Sequence, residues 1–179
     1  GINAEYGDQQ KMDKFDLYPP MYQIQIGETK KKQLSHWVSR IRKFCQAKQL
    51  FLLDLNVFAQ SSVFISSDQQ YKASKELQFE IYKHMISNQQ GCWADKQEQA
   101  LYVYPFENFS QLLIDAIYNT ATDDVMTIQE IQKALNTNKQ FSNIPIPFLI
   151  SILEEAEKNG RLALMRDSFK KVEAAKLKL

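Results

Sequence analysis

The stretch 74–104, SKELQFEIYKHMISNQQGCWADKQEQALYVY, combines a helical pattern with a hairpin pattern. Leu77, Ile81 and Met85 recur every four residues, the spacing of one helix face, and predict a helix over residues 74–88. Gly91 follows this helix and is placed to end it in left-handed backbone geometry. Residues 92–95 and 101–104 then flank a polar turn, a pattern typical of a β-hairpin.

The same order recurs near the end of the chain. Leu149, Ile152 and Leu153 predict a helix over residues 148–159, and Gly160 follows it. Residues 162–165 and 169–172 then flank a polar turn as a second hairpin. Gly91 and Gly160 are 69 residues apart. A repeat of this length predicts two tandem domains.

Further helices are predicted ahead of each repeat. Leu34, Trp37 and Ile41 lie on one stripe over residues 29–47, and Thr127 and Glu130 have capping-box spacing. Helices followed by a hairpin wing are the order of a winged-helix domain, a helix-turn-helix variant. We therefore predict an α+β, mainly helical fold of two tandem winged-helix domains. The predicted parts are a flexible tail at residues 1–17, domains at 18–104 and 105–172, and a basic C-terminal tail at 173–179.

The charge of the chain argues against nucleic-acid binding. It has 22 Lys and Arg against 21 Asp and Glu, a formal net charge of +1, whereas nucleic-acid binders usually carry a strong basic excess. Residues 28–48 hold seven basic residues and one acidic residue, which we interpret as a solvated helix face; phosphates, anionic lipid or an acidic partner are the alternative contacts. We predict no nucleic-acid partner and only an indirect or weak membrane contact.

No residue pattern predicts catalysis or a cofactor. His36 and His84 lie on different predicted helices, and no Cys or His lies at metal-ligand spacing from either. Cys45 occupies the apolar stripe of the first helix, as a packed thiol does. Two cysteines in apolar patterns and a start without signal-peptide character indicate the cytoplasm. We predict a non-enzymatic protein with no catalytic residues, metal or other cofactor.

Residues 18–22, called the arm below, are Tyr18-Pro19-Pro20-Met21-Tyr22. Two prolines restrict the backbone of this segment and favour extended geometry at Tyr18 and Pro19. A stiff segment loses little entropy on binding, and its aromatic residues can fill a pocket of a partner. We predict a docking segment; the alternative is that the arm folds back on its own domain.

Four motifs together resemble the vacuolar protein sorting 25 family of ESCRT-II subunits. The arm is similar to the aromatic-Pro-Pro-x-aromatic motif of that family, and Gln33-Leu34-x-x-Trp37 to its first-helix signature. Residues 91–96, GCWADK, resemble its wing, and residues 104–109, YPFENF, its junction between domains. The resemblance extends from Tyr18 to about Asp167. Tyr104 and Phe109 depart from it, since tryptophans are expected there.

The resemblance implies an assembly subunit of ESCRT-II in endosomal multivesicular-body sorting of ubiquitylated cargo, cytoplasmic and recruited to the endosomal membrane. Two copies of such a chain would dock on the other two ESCRT-II subunits through Tyr18, Pro19, Pro20 and Tyr22. The second winged helix would recruit a helix of an ESCRT-III subunit. Glu154, Glu155 and Glu157 are candidates for that contact, because acidic side chains complement a basic helix.

Two alternatives remain open at this point. The first is a tandem winged-helix subunit that binds DNA or a transcription complex. Glu154, Glu155 and Glu157 weigh against it, because they lie on the helix that would enter the DNA groove and would repel phosphate. The second is an ESCRT-like scaffold that serves another assembly, since a fold does not fix its partner.

Overall fold

The computed structural model describes residues 18–179, so the predicted tail at 1–17 lies outside the described residues. The chain divides between Pro105 and Phe106 into two compact units. Each unit contains helices and one small antiparallel sheet of three strands. The predicted fold class, α+β with two tandem winged-helix domains, is confirmed.

The first element described in the first unit is a 3-10 turn at Pro19–Tyr22. Its helices are α1 (Gly27–Lys48), α2 (Leu55–Phe58) and α3 (Lys75–Ser87), with a second 3-10 turn at Ser62–Phe64. Its strands are β1 (Leu52–Asp54), β2 (Gly91–Trp93) and β3 (Ala100–Val103), in the spatial order β1-β3-β2.

The apolar stripes predicted for α1 and α3 form the core of this unit. Trp37 and Ile41 of α1 and Leu77 and Ile81 of α3 are fully buried. The hydroxyl of Ser74 caps α3 by accepting a hydrogen bond from the Leu77 N–H at 3.1 Å. This cap satisfies one of the N–H groups that a helix start leaves without an intrahelical partner.

Gly91 does not end the preceding helix in left-handed geometry, so that prediction is wrong. Gln89 adopts the left-handed conformation instead, with φ of 58°. Gly91 lies in β2 opposite Val103, and a Cβ atom at this position would come within 2.9 Å of the Tyr102 carbonyl oxygen. Glycine is therefore required here by the close approach of two backbones rather than by its own torsion angles.

The second unit contains α4 (Phe109–Thr120), α5 (Ile128–Leu135) and α6 (Ile146–Lys158). Its strands are β4 (Val125–Thr127), β5 (Leu162–Arg166) and β6 (Val172–Leu177), in the order β4-β6-β5. The predicted cap of α5 is present, because the Thr127 hydroxyl accepts a hydrogen bond from the Glu130 N–H at 3.1 Å. Gly160 follows α6 with φ of 75°, as predicted for a helix end.

The end of the chain differs from the prediction. Residues 173–179 were predicted to be a basic tail, but residues 172–177 form β6, the central strand of the second sheet. Residues 169–171 belong to the turn, where the Asp167 carboxylate accepts hydrogen bonds from the N–H groups of Phe169 and Lys171 at 2.8 and 2.9 Å. Ala174 and Ala175 carry little apolar signal, and the exposed Glu173 and Lys176 are not separated by a single residue, so the sequence of this strand lacks a clear apolar alternation.

Candidate docking surfaces

The arm is a short 3-10 turn that is packed against α1. Tyr18 is extended, as predicted, with φ of −92° and ψ of 106°, and its carbonyl oxygen accepts a hydrogen bond from the Met21 N–H at 2.9 Å. Pro19 and Pro20 open the turn, where their missing N–H groups leave no hydrogen bond unmade. Extended geometry at Pro19 is thus corrected to a helical turn.

Tyr22 belongs to the core of the first unit. Its side chain is 5% exposed, and its ring packs edge-on against Trp37 with centroids 5.4 Å apart. Its ring also contacts Tyr71 at 5.7 Å, and the neighbouring Met21 is buried as well. A side chain that its own domain encloses offers little surface to a partner, so this burial weighs against docking through Tyr22, which stays a prediction. For Met21 and Tyr22 the alternative interpretation, folding back, holds.

The first half of the arm faces solvent. Tyr18 is 53% exposed, Pro19 is exposed and Pro20 is half-buried. The arm therefore has a buried half that anchors it and an exposed half that a partner can reach. Of the four predicted docking residues, Tyr18 and Pro19 have the exposure that docking requires, and Pro20 has part of it.

Gln33 on α1 clamps the backbone of the arm. Its buried amide nitrogen lies 3.2 Å from the carbonyl oxygens of Pro20 and Met21 and 2.5 Å from that of Gln23. Its amide oxygen accepts a hydrogen bond from the Gln25 N–H at 3.1 Å. The carbonyl groups of Pro20, Met21 and Gln23 and the N–H of Gln25 thus find partners on α1, which fixes the path of the chain.

Trp37, one helical turn after Gln33, completes the clamp. Its indole Nε1 donates a hydrogen bond to the Met21 carbonyl oxygen at 2.7 Å. The sequence predicts Trp37 only as an apolar residue of the helix stripe and Gln33 only as part of a motif, and it predicts for neither a hydrogen bond to the arm. The available signal was a glutamine within an apolar stripe, four residues before a tryptophan.

Some basic residues of α1 contact other residues of the first unit. Lys30 pairs with Glu80 of α3 at 3.2 Å, and the hydrogen bonds from Lys83 and Lys30 hold the pKa of Glu80 below its usual value. The Arg40 guanidinium lies 5.0 Å from the centre of the Trp37 ring. Lys31, Lys32 and Lys43 are exposed, as a solvated helix face requires, whereas Lys30 and Arg40 have partners within the unit.

Arg42 connects α1 to the end of the first sheet. Its Nε donates a hydrogen bond to the Tyr104 carbonyl oxygen at 2.7 Å. Tyr104 itself directs its hydroxyl toward the Cys92 sulfur at 3.9 Å. The junction motif beginning at Tyr104 is therefore fixed from the helix side despite its departure from the expected tryptophan.

The three glutamates of α6 differ in their surroundings. Glu154 and Glu155 are exposed, whereas Glu157 is half-buried beside β5. One carboxylate oxygen of Glu157 lies 3.0 Å from Nη2 of Arg166, and the other accepts a hydrogen bond from the Leu164 N–H at 2.8 Å. The hydrogen bond from Arg166 lowers the pKa of Glu157 from its usual value. Glu157 thus ties its helix to the wing, while Glu154 and Glu155 remain accessible.

The cysteines and histidines show no catalytic arrangement. Burial raises the pKa of the Cys45 thiol to about 12, which keeps it protonated at neutral pH. His84 Nε2 lies 3.2 Å from the Ser35 hydroxyl, and burial lowers the pKa of this histidine. Within residues 18–179, no three His, Cys, Asp or Glu side chains come together in a way that could hold a metal ion.

The fold is that of a tandem winged-helix protein. Two of its surfaces are candidates for docking: the exposed half of the arm, and α6 with its exposed glutamates Glu154 and Glu155. None of the helices described in residues 18–179 has the length and apolarity needed to cross a membrane. A model of the ESCRT-II complex subunit family matches residues 16–145. The chain belongs to the family of ESCRT-II complex subunits.

Individual relatives agree with this family. The chain is 23% identical over 154 residues to vacuolar protein-sorting-associated protein 25 of Danio rerio, covering 83% of this chain and 88% of the relative. It is 22% identical over 153 residues to the same protein of Xenopus laevis, again covering 83% and 88%.

Solved structures share the fold. Subunit VPS25 of the endosomal trafficking complex ESCRT-II superposes with a TM-score of 0.73 at 19% identity, covering 92% of this chain and 99% of that subunit. A chain of the endosomal complex ESCRT-II (VPS22/VPS25/VPS36) gives a TM-score of 0.70 at 19% identity, covering 91% and 98%.

Proposed function

We propose that this chain is a non-enzymatic ESCRT-II subunit, two copies of which dock on VPS22- and VPS36-type subunits, the partner complex below. The proposal rests on the structure of the arm. Tyr18 and Pro19 are exposed, and hydrogen bonds from Gln33 and Trp37 to the Met21 carbonyl oxygen fix the backbone that follows them. A preformed segment loses little conformational entropy on binding, so its apolar contacts contribute more fully to affinity.

Copurification from the cells of origin tests this proposal. The tagged full chain is expected to recover the partner complex, and the double variant Tyr18→Ala/Pro19→Ala is expected to lose it. Phe169→Ala is the matched control, because Phe169 is 88% exposed and lies in the other unit. Equal recovery by wild type and double variant would contradict docking through the arm.

We further propose that the second unit recruits a basic helix of an ESCRT-III subunit through Glu154 and Glu155. Both carboxylates are exposed on α6, whereas the third predicted residue, Glu157, is half-buried and pairs with Arg166, so the proposal rests on the first two. Such recruitment would place the chain at the endosomal membrane, where the complex would sort ubiquitylated cargo.

Charge reversal tests the acidic contact. Glu154→Lys/Glu155→Lys is expected to weaken binding of the purified ESCRT-III subunit in titration calorimetry while leaving the binding of the partner complex unchanged. Glu173→Lys, at an exposed glutamate of β6, is the matched control. Unchanged ESCRT-III binding by the double variant would remove α6 from the contact.

The alternative of DNA binding has less support in the charges. Lys30 and Lys83 both pair with Glu80, at 3.2 and 2.9 Å, rather than extending toward a phosphate backbone. Glu154 and Glu155 occupy the helix that a DNA-binding winged helix inserts into the major groove. A duplex affinity that falls steeply with salt would support this alternative instead.

A further inference from the structure

We infer that Ile26 belongs to the same docking surface as Tyr18 and Pro19 and fits an apolar pocket with an acidic rim on a protein partner. This inference rests on the docking function proposed above. It extends the surface beyond the arm to a residue at the start of α1.

Ile26 breaks two local rules at one position. It is the N-cap residue of α1, but its side chain makes no capping hydrogen bond. An isoleucine cannot accept a hydrogen bond from the first N–H groups of a helix, which is why Ser, Thr, Asp and Asn are preferred there. Its side chain is also 86% exposed, the highest value among the large apolar residues described between positions 18 and 105. A position at which sequence and local structure disagree in this way indicates a functional constraint.

The clamp places Gln25, the residue before Ile26, beside Pro20 of the arm. Gln25 donates a hydrogen bond from its side-chain amide to the Pro20 carbonyl oxygen at 3.0 Å. The Gln25 N–H bonds to Gln33, whose amide nitrogen also contacts the Pro20 carbonyl oxygen at 3.2 Å. The residue before Ile26 and the residue after Pro19 are therefore tied to each other and to α1. Tyr18 and Pro19 are exposed just before Pro20, and Ile26 is exposed just after Gln25, the two residues that this hydrogen bond joins.

The charges beside Ile26 indicate the partner's chemistry. The first turns of α1 carry Lys30, Lys31 and Lys32 against the single carboxylate of Glu28, a local charge of +2. Lys31 pairs with Glu28 at 3.3 Å, and Lys32 is exposed. Lys30 pairs with Glu80 of α3, so the exposed positive charge of these turns comes from Lys31 and Lys32. An apolar group that directly precedes a positively charged helix turn complements a pocket lined by apolar residues and edged by Asp or Glu.

The substitution Ile26→Ser separates docking from folding, because it moves the two in opposite directions. Serine is a good N-cap, so the melting temperature of the full chain is expected to hold or rise. The affinity for the purified partner complex, measured by biolayer interferometry, is expected to fall about tenfold or more, as for an apolar anchor. Val57→Ser, at a 70% exposed valine of the same unit, is expected to leave affinity unchanged.

A parallel Tyr18→Ala variant distinguishes a failure of the role inferred for Ile26 from a failure of docking through the arm. Weaker binding by both variants, with Val57→Ser unchanged, supports one continuous surface. Weaker binding by Tyr18→Ala alone overturns the role of Ile26 and leaves the docking arm standing. If neither variant weakens binding, the proposed docking function fails together with this inference. If Ile26→Ser alone weakens binding, the shared surface is wrong.

Discussion

The indole Nε1 of Trp37 donates a hydrogen bond of 2.7 Å to the backbone carbonyl oxygen of Met21. This bond joins the middle of α1 to the arm, across 16 positions of the sequence. It orients the arm so that Met21 and Tyr22 enter the core and Tyr18 and Pro19 face solvent. Anchoring and presentation are therefore performed by different residues of the same five-residue segment.

Removing the hydrogen bonds of Gln33 should increase the mobility of the arm without unfolding the domain. Gln33→Leu leaves the buried Met21 carbonyl oxygen with fewer donors, so the free energy of unfolding is expected to fall by about 1–3 kcal/mol. Hydrogen exchange of the amides of Met21 and Gln25 should accelerate. Gln46→Leu, at an exposed position of the same helix, is expected to change neither quantity. Equal exchange rates in Gln33→Leu and wild type would show that the clamp does not hold the arm.

The two tyrosines of the arm should respond differently to truncation. Tyr22→Ala removes a buried ring that packs on Trp37, so a loss of about 3–5 kcal/mol is expected in denaturant unfolding. Tyr18→Ala removes a side chain that is 53% exposed and is expected to change stability by no more than about 0.5 kcal/mol. Similar losses in the free energy of unfolding for the two variants would contradict an arm in which Tyr22 is buried and Tyr18 is exposed.

The hydroxyl of Tyr82 should be dispensable for stability. Its oxygen is buried, and residues 18–179 provide it with no hydrogen-bond partner. Tyr82→Phe is therefore expected to maintain the free energy of unfolding or raise it by up to about 1 kcal/mol. A clear loss of stability would reveal a partner for this hydroxyl, such as an internal water.

Tyr82 should also contribute to alkaline unfolding. Burial, reinforced by Cys45, raises its pKa above the ordinary value of 10.0. The unfolded chain therefore loses this proton at lower pH than the folded chain does, and stability falls as the pH rises above about 10. Chemical denaturation at several alkaline pH values should show a shallower decline for Tyr82→Phe than for wild type. Cys45 titrates in the same direction in both proteins and cancels from the comparison.

Glu157 should make the second unit sensitive to acid. The hydrogen bond from Arg166 lowers its pKa below the ordinary value of 4.5, so its stabilising contribution is present above that pH and is lost as the pH falls through the lowered value. Melting temperatures between about pH 6 and 3 should decline less steeply for Glu157→Gln than for wild type. Glu173→Gln, which replaces an exposed glutamate of β6, serves as control and should retain the wild-type slope.

The parts of the fold that could be predicted from sequence depend on local chemistry. The stripe through Trp37, the cap at Thr127 and the glycine at 160 each act within a few residues of their own position. The second strand of the last hairpin was misplaced because Lys170, at φ of 66°, extends the turn and Ala174 and Ala175 carry little apolar signal.

The division of the arm could not be predicted, because it depends on contacts between distant residues. Tyr18 and Tyr22 are both aromatic and flank the same pair of prolines, so the local sequence predicts docking equally for both. Only the packing of Tyr22 against Trp37 and Tyr71 separates them. Gln33 was missed for the same reason, since its function appears only when residues 20–25 lie beside α1.

Titration calorimetry of the full chain against the purified partner complex tests the central claim most directly. Wild type and Phe169→Ala are expected to bind with equal affinity, whereas Tyr18→Ala/Pro19→Ala should bind at least about tenfold more weakly with an unchanged circular-dichroism spectrum. The same affinity for all three proteins would contradict docking through the exposed half of the arm.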